Sequence, residues 1–156
     1  MTGGTPGSQF GGMTPTSHVF ESRFRVRSYE LDGFAHLNHA VFLNWFEQAR
    51  FDAFEAGGFP AAEVQARGWG VYVVRIEVDF LKQARLCDEL VVQTSVVELR
   101  RTSMVFRQVA SRADALDTVS AEARVRAVFI GVDGRPARIP ADLRAALEAG
   151  GRRPSE

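Results

Sequence analysis

Residues 30–58 read ELDGFAHLNHAVFLNWFEQARFDAFEAGG, a short polar loop running into a long apolar segment. From Ala40 to Ala56 the segment has no proline, is rich in alanine and large apolar residues, and stops at the Gly57-Gly58 pair. Glycine just past the last turn is a common helix stop, so the run predicts a helix of several turns. Its apolar positions, Ala40, Val41, Leu43, Trp45, Phe46, Ala49, Ala53 and Phe54, spread beyond one narrow stripe. A helix apolar on most sides is usually wrapped by other structure, which makes this one a central element rather than a surface one. Asn38 is a favoured N-cap whose side chain would accept from the amide of Ala40 or Val41. That leaves His39 at the first helical position, its own amide without an intrahelical partner.

On either side of the helix the periodicity changes to two. Phe20, Ser22, Phe24, Val26 and Ser28 alternate with Glu21, Arg23, Arg25 and Arg27, which predicts a first half-buried strand over 20–28. After Phe59-Pro60 and a connection that holds a helical turn, Tyr72, Val74, Ile76, Val78 and Phe80 alternate with Val71, Val73, Arg75, Glu77 and Asp79. Two further runs, Glu89 to Leu99 and Thr102 to Ser111, predict a hairpin turning near Arg100-Arg101. A turn at Asp114 to Asp117 leads into a last strand over Val119 to Phe129, closed by Val132-Asp133-Gly134-Arg135. Pro140 opens a short helix through Leu147, stopped by Gly150-Gly151. Strand, long helix, four strands in succession and a short helix make an α+β arrangement, a mainly antiparallel sheet with the helix on one face. Its edge strands call for a second copy of the chain, so a homodimer or homotetramer is expected.

The whole chain is 156 residues with 46% hydrophobic composition, enough for one well-buried core, placed at residues 18–149 with unstructured tails at 1–17 and 150–156. Lys plus Arg and Asp plus Glu both number 19, so no net field holds a polyanion and no nucleic acid is expected as a partner. No stretch approaches the ~18 uninterrupted apolar residues of a membrane span, and the N-terminus has neither the basic nor the apolar region of a signal peptide. A soluble, cytoplasmic protein is the expectation. The single cysteine, Cys87, excludes an internal disulfide and is expected to be a small buried hydrophobe. His36 and His39 form an HxxH pair without a well-spaced third ligand, so no metal is expected.

Chemistry concentrates between the first strand and the helix. An unpaired, positively polarised N–H at a helix start suits a developing oxyanion. Asp32 lies seven residues before His39 on a loop that a turn at Gly33 can fold back towards that amide. A carboxylate beside an oxyanion site is a hydrolytic pair, although Asp followed by Gly is often only a turn. Glu47 is either a buried base or a solvated acid paired with Arg50. Phe34, Trp45, Phe46, Trp69 and Tyr72 are candidates to line a pocket, while aromatics so spaced more often build plain core.

The run Val26-Arg27-Ser28-Tyr29-Glu30-Leu31-Asp32-Gly33-Phe34-Ala35-His36-Leu37-Asn38-His39, then Phe42-Leu43 and Glu47-Gln48-Ala49-Arg50, resembles the signature of the 4-hydroxybenzoyl-CoA thioesterase-like branch of the hot-dog superfamily. Phe80-Leu81 with Ala84, Asp88-Glu89-Leu90 and Ile139-Pro140 extend the likeness to roughly Phe20–Leu147. The sequence departs from the family pattern at Ala35, where Gly is common, and at Ser28 and Leu31, where Tyr and Thr are often found. The resemblance implies a hot-dog fold, dimers with active sites at the subunit interface, an acyl-CoA thioester substrate, and neither metal nor cofactor. The family's catalytic carboxylate falls on Asp32 and its carbonyl-polarising amide on His39. Phe34, Asn38 and Tyr72 become candidate substrate contacts, Arg100, Arg101 and Lys82 candidates for the CoA phosphates, and Thr102 and Ser103 for pantetheine. Asp32 would attack the thioester carbon to give a mixed anhydride or act as general base on water, with its pKa raised by a partly apolar pocket. A dehydratase motif is not legible. An acyl-CoA sensor without catalysis is the competing reading.

Overall fold

Asn38 begins the central element as its sequence requires: its side-chain oxygen accepts from the Ala40 amide at 2.9 Å, and helix α1 runs His39–Ala56 to a cap at Gly57. The computed structural model describes residues 19–149. The tails assigned to 1–17 and 150–156, and the stop at Gly150-Gly151, lie outside the described residues. Around α1 come β1 (Phe20–Arg25), α2 (Ala61–Ala66), β2 (Gly70–Phe80), β3 (Glu89–Leu99), β4 (Ser103–Arg112), β5 (Ala115–Ile130) and α3 (Ala141–Glu148). The five strands form one antiparallel sheet in the order β1-β3-β4-β5-β2. No helix among the described residues is long and apolar enough to cross a membrane.

The sheet wraps one side of α1. Phe42, Trp45, Phe46 and Ala49 are buried with Val92, Met104, Phe106, Ala123, Val125 and Phe129, and Trp45 stacks on Phe24 of β1 with ring centroids 5.0 Å apart. Removing this apolar surface from water is the main stabilisation of the fold. The other side of α1 is not covered by its own chain, since Leu43 and Phe51 remain exposed. The helix is therefore central to the sheet but half wrapped, less than its composition predicts.

Four sequence expectations are corrected by local hydrogen bonding or register. β1 ends at Arg25 rather than at position 28, because the Glu30 carboxylate accepts from the Arg27 amide and turns the chain into a 3-10 turn at Ser28–Glu30. β5 starts at Ala115 rather than Val119, since Arg112 opposes Ala115 and its guanidinium bonds the Asp114 carboxylate, tightening the turn. In β2 a bulge between Val73 and Arg75 inserts Val74 and swaps the faces. Tyr72 opposes Val128, whereas Ile76, Val78 and Phe80 oppose the buried Val125, Ala123 and Ala121, so the five do not share one face. Cys87 is exposed rather than buried, with φ 67 in the turn that the Asp88 carboxylate closes on the Arg85 amide.

Candidate active site

The loop between β1 and α1 is a small hairpin anchored at both ends. Leu31 and Leu37 form a bridge, the Asp32 amide donates to the His36 carbonyl at 2.8 Å, and the Leu37 amide donates to the Ala84 carbonyl at 2.8 Å. Glu30 ties this hairpin to the helix: its carbonyl accepts from the Asn38 amide at 2.9 Å and its carboxylate from the Trp45 indole at 3.3 Å. Ala35 supplies the reversal with φ 59, a left-handed conformation that Cβ disfavours by ~1–2 kcal/mol. The family's common glycine has its physical reason here. Ala35→Gly is expected to raise stability by about 0.5–1 kcal/mol, the relieved strain less the extra entropy a glycine loses on folding, as a chemical denaturation midpoint would show.

Asp32 sits at the shoulder of this hairpin. Its Oδ1 accepts from the amides of Phe34 at 2.8 Å and His36 at 3.2 Å, while Oδ2 has no hydrogen-bond partner among the described residues. The Phe34 amide and then the His36 amide hold the carboxyl below its ordinary range, and the nearby imidazoles of His36 and His39 add to this. The rise expected from an apolar pocket is overturned, because amide hydrogen bonds to the charged form outweigh the little desolvation present. The ionised form is present above the depressed pKa and lost only as pH falls through it.

The His39 amide, at the first position of α1, has no hydrogen-bond partner among the described residues. Asp32, Phe34 and His39 line one cavity of ≈ 510 Å³, completed by Phe42 of α1 and by Phe80, Leu81 and Lys82 at the end of β2. Phe80 locks that end of β2 to the helix start, with its ring 5.7 Å from Phe42 and edge-on to His39 at 6.2 Å. A carboxylate with a free oxygen, an unpaired helix-start amide and a cationic side chain at the mouth are the parts needed to attack and polarise a carbonyl beside a charged leaving group. Among the described residues no three His, Cys, Asp or Glu side chains are grouped to hold a metal ion.

Comparison with known proteins gives the family. A family model described as the thioesterase-like superfamily matches residues 26–147. The chain belongs to that superfamily. The "Acyl-CoA thioester hydrolase YbgC" of Escherichia coli is 30% identical over 110 residues, spanning 69% of this chain and 81% of the relative. The "Acyl-acyl carrier protein thioesterase ATL2, chloroplastic" of Arabidopsis thaliana is 27% identical over 133 residues, 85% of this chain and 70% of the relative. Among solved structures, the YbaW probable thioesterase from Escherichia coli is similar at 27% identity and TM-score 0.74, covering 85% of this chain and 99% of that one.

In this thioesterase-like protein the remaining candidates other than Asn38 lie away from Asp32. Asn38 is beside the cavity, its oxygen committed to the helix cap. Tyr72 opposes Val128, which opposes Ser103, so Tyr72 and the Arg101-Thr102-Ser103 hairpin mark the far end of the sheet. The eight residue steps from Tyr72 to Phe80 span ~25 Å of strand at 3.3 Å per residue. Glu47 is exposed and makes no ion pair with Arg50, which is buried against Gln108 instead. Sequence reasoning missed the lining residues Phe42 and Phe80 and the anchor Glu30. Phe80 at a strand end before Leu81-Lys82 was the available signal, while the Glu30 contact depends on Trp45, fifteen residues away.

Proposed function

We propose that this protein is an acyl-CoA thioesterase of the 4-hydroxybenzoyl-CoA thioesterase-like branch, in which Asp32 acts on the thioester carbonyl and the His39 amide polarises it. The observation that carries this reading is the shared cavity of an ionised, half-free Asp32 carboxylate and an unpartnered helix-start amide. The branch rests on the helix-entry motif around Asp32, Asn38 and Glu47-Gln48-Ala49-Arg50. Oδ2 attacks the thioester carbon, the tetrahedral oxyanion leans on the His39 N–H, and the CoA thiolate leaves, giving a mixed anhydride that water opens. Steady-state kcat/KM is expected to stay flat from pH 7 to 5, its acid limb lying below the ordinary aspartate value of ~3.9. An acid limb near pH 6 contradicts an ionised Asp32 of this kind.

A second copy of the chain completes the site. β2 is an edge strand whose Val73 and Ile76 are exposed on the helix side, opposite the buried Ala127 and Val125, and Leu43 and Phe51 continue that apolar face on α1. Two-fold pairing along β2 runs the strand antiparallel to itself, so the Tyr72 and Arg101-Thr102-Ser103 end of one copy meets the Asp32 and Phe80 end of the other. Those residues then contact pantetheine and the CoA phosphates across the interface. Val74→Asp places a charge at this seam without touching the core. Light scattering is expected to show a halved mass, with activity reduced at least tenfold; a wild-type protein that is monomeric and active refutes the shared site.

The function is tested by thiol release from short, long and aromatic acyl-CoAs, with acyl carrier protein thioesters alongside. Turnover of any acyl-CoA supports the enzyme. Tight binding of acyl-CoA without thiol release makes it a sensor, and turnover confined to the carrier-protein thioesters overturns the CoA assignment.

A further inference from the structure

A second carboxylate stands two residues before Asp32 and does not line its cavity. Glu30 is half-buried and accepts from three separate places in the chain. Its side chain takes the Arg27 amide at 2.9 Å and the Trp45 indole at 3.3 Å, and its carbonyl takes the Asn38 amide at 2.9 Å. Arg27 lies just past β1, Asn38 caps α1, and Trp45 sits on the helix body about two turns further on.

Glu30 is also the lowest rung of a short antiparallel ladder. Above the Glu30–Asn38 bond, Leu31 bridges Leu37 and the Asp32 amide donates to the His36 carbonyl. Asp32 therefore stands two rungs from the peptide that carries the His39 N–H. That peptide is fixed in its own right, since the Asn38 side chain caps Ala40 and the Asn38 carbonyl accepts from Val41 at 2.9 Å. The rungs leave open the angle between ladder and helix. Leu31 and Leu37 pack against the core, but apolar packing is non-directional. The Leu37 amide ties the ladder to Ala84 rather than to α1. Among the described residues, the Trp45–Glu30 bond is the only side-chain hydrogen bond between residues 27–37 and the body of α1. Trp45 is a firm anchor for it, 5% exposed and stacked on Phe24.

Building on the thioesterase reading, we propose that Glu30 is a positioning residue whose carboxylate clamps the Asp32 ladder to α1 and so sets the Asp32 carboxylate against the His39 amide. It acts through Trp45 and Asn38, without touching the reacting atoms. A hydrogen bond to a carboxylate is strong and directional, and a displacement of ~1 Å at a reacting group costs about 10²-fold in rate.

Three variants separate the contacts. Glu30→Ala removes both side-chain bonds, Glu30→Gln keeps one amide oxygen that can face Trp45, and Trp45→Phe removes the indole donor while keeping a ring against Phe24. On the acyl-CoA turned over fastest, Glu30→Ala is expected to lower kcat about twentyfold or more with KM changed less than threefold, and Glu30→Gln to recover most of that loss. Trp45→Phe is expected to lower kcat about tenfold. The double variant Glu30→Ala, Trp45→Phe should lose no more than Glu30→Ala alone, because both changes break one contact. Melting temperatures confirm that each variant is folded at the assay temperature. A kcat within threefold of wild type in Glu30→Ala, or losses that multiply in the double variant, overturns the proposal. Hydrogen exchange of the Asp32 and Asn38 amides, each bonded in a rung, reads the ladder without turnover. In Glu30→Ala both are expected to exchange at least tenfold faster while amides of β3 and β4 keep wild-type rates; unchanged exchange at the two refutes the clamp. If the wild type turns over no acyl-CoA, the thioesterase reading falls and exchange alone decides whether Glu30 holds the ladder.

Discussion

His39→Pro is expected to lower kcat for acyl-CoA hydrolysis by about 10²–10³ while leaving the fold intact, whereas His39→Ala lowers it far less. The contrast isolates one N–H. His39 occupies the first position of α1, where the amide has no helical partner and proline's fixed φ suits the helix. Asn38 before it has φ −60 and ψ 135, the extended conformation that a residue preceding proline adopts anyway. Proline therefore deletes the proposed oxyanion donor without a backbone rearrangement, and far-ultraviolet circular dichroism should be unchanged. Alanine removes the imidazole and its edge contact with Phe80 but keeps the amide. Equal losses in the two variants would assign the effect to the side chain and remove the amide from the mechanism.

The parts of this molecule fixed by short-range chemistry were legible in the sequence. Asn38 as cap, His39 as first helical residue and the stop at Gly57 follow from local backbone accounting, and all three are present. The alternation in β1 also appears, with Ser22 buried between exposed Glu21 and Arg23. What failed depended on partners distant in sequence or on a single inserted residue. The bulge at Val74 has no signature in a run of valines, yet it moves Ile76, Val78 and Phe80 onto the helix side and Tyr72 off it. The Arg50–Gln108–Thr94 network joins three elements 58 and 14 residues apart, whereas local spacing offers only Glu47 as a partner for Arg50, beside the reading of Glu47 as a buried base.

The candidate site divides in the same way. Asp32, Phe34 and His39 come together because one hairpin and one helix start carry them all. Tyr72, Arg101, Thr102 and Ser103 come from the opposite end of the sheet, away from Asp32 within one chain. The direction of the Asp32 pKa was misjudged because the apolar surroundings were legible while the two amides aimed at Oδ1 were not. Those amides point inward only because Ala35 takes a positive φ and closes the hairpin.

The comparison that bears most directly on the proposed chemistry is kcat for acyl-CoA hydrolysis in wild type and Asp32→Asn. Both Oδ1 hydrogen bonds are from backbone amides, so an asparagine oxygen can accept them and the hairpin is kept, while the charge and the attacking Oδ2 are lost. An asparagine followed by Gly33 is prone to deamidate back to aspartate, so intact mass is checked and Asp32→Ala is measured beside it. With Asp32 as the acting carboxylate, kcat falls by about 10²–10⁴ in both variants, at unchanged melting temperature in Asp32→Asn and at a lowered one in Asp32→Ala, which leaves the Phe34 and His36 amides without their acceptor. Wild-type turnover in either folded variant across the acyl-CoA panel would contradict the assignment of Asp32.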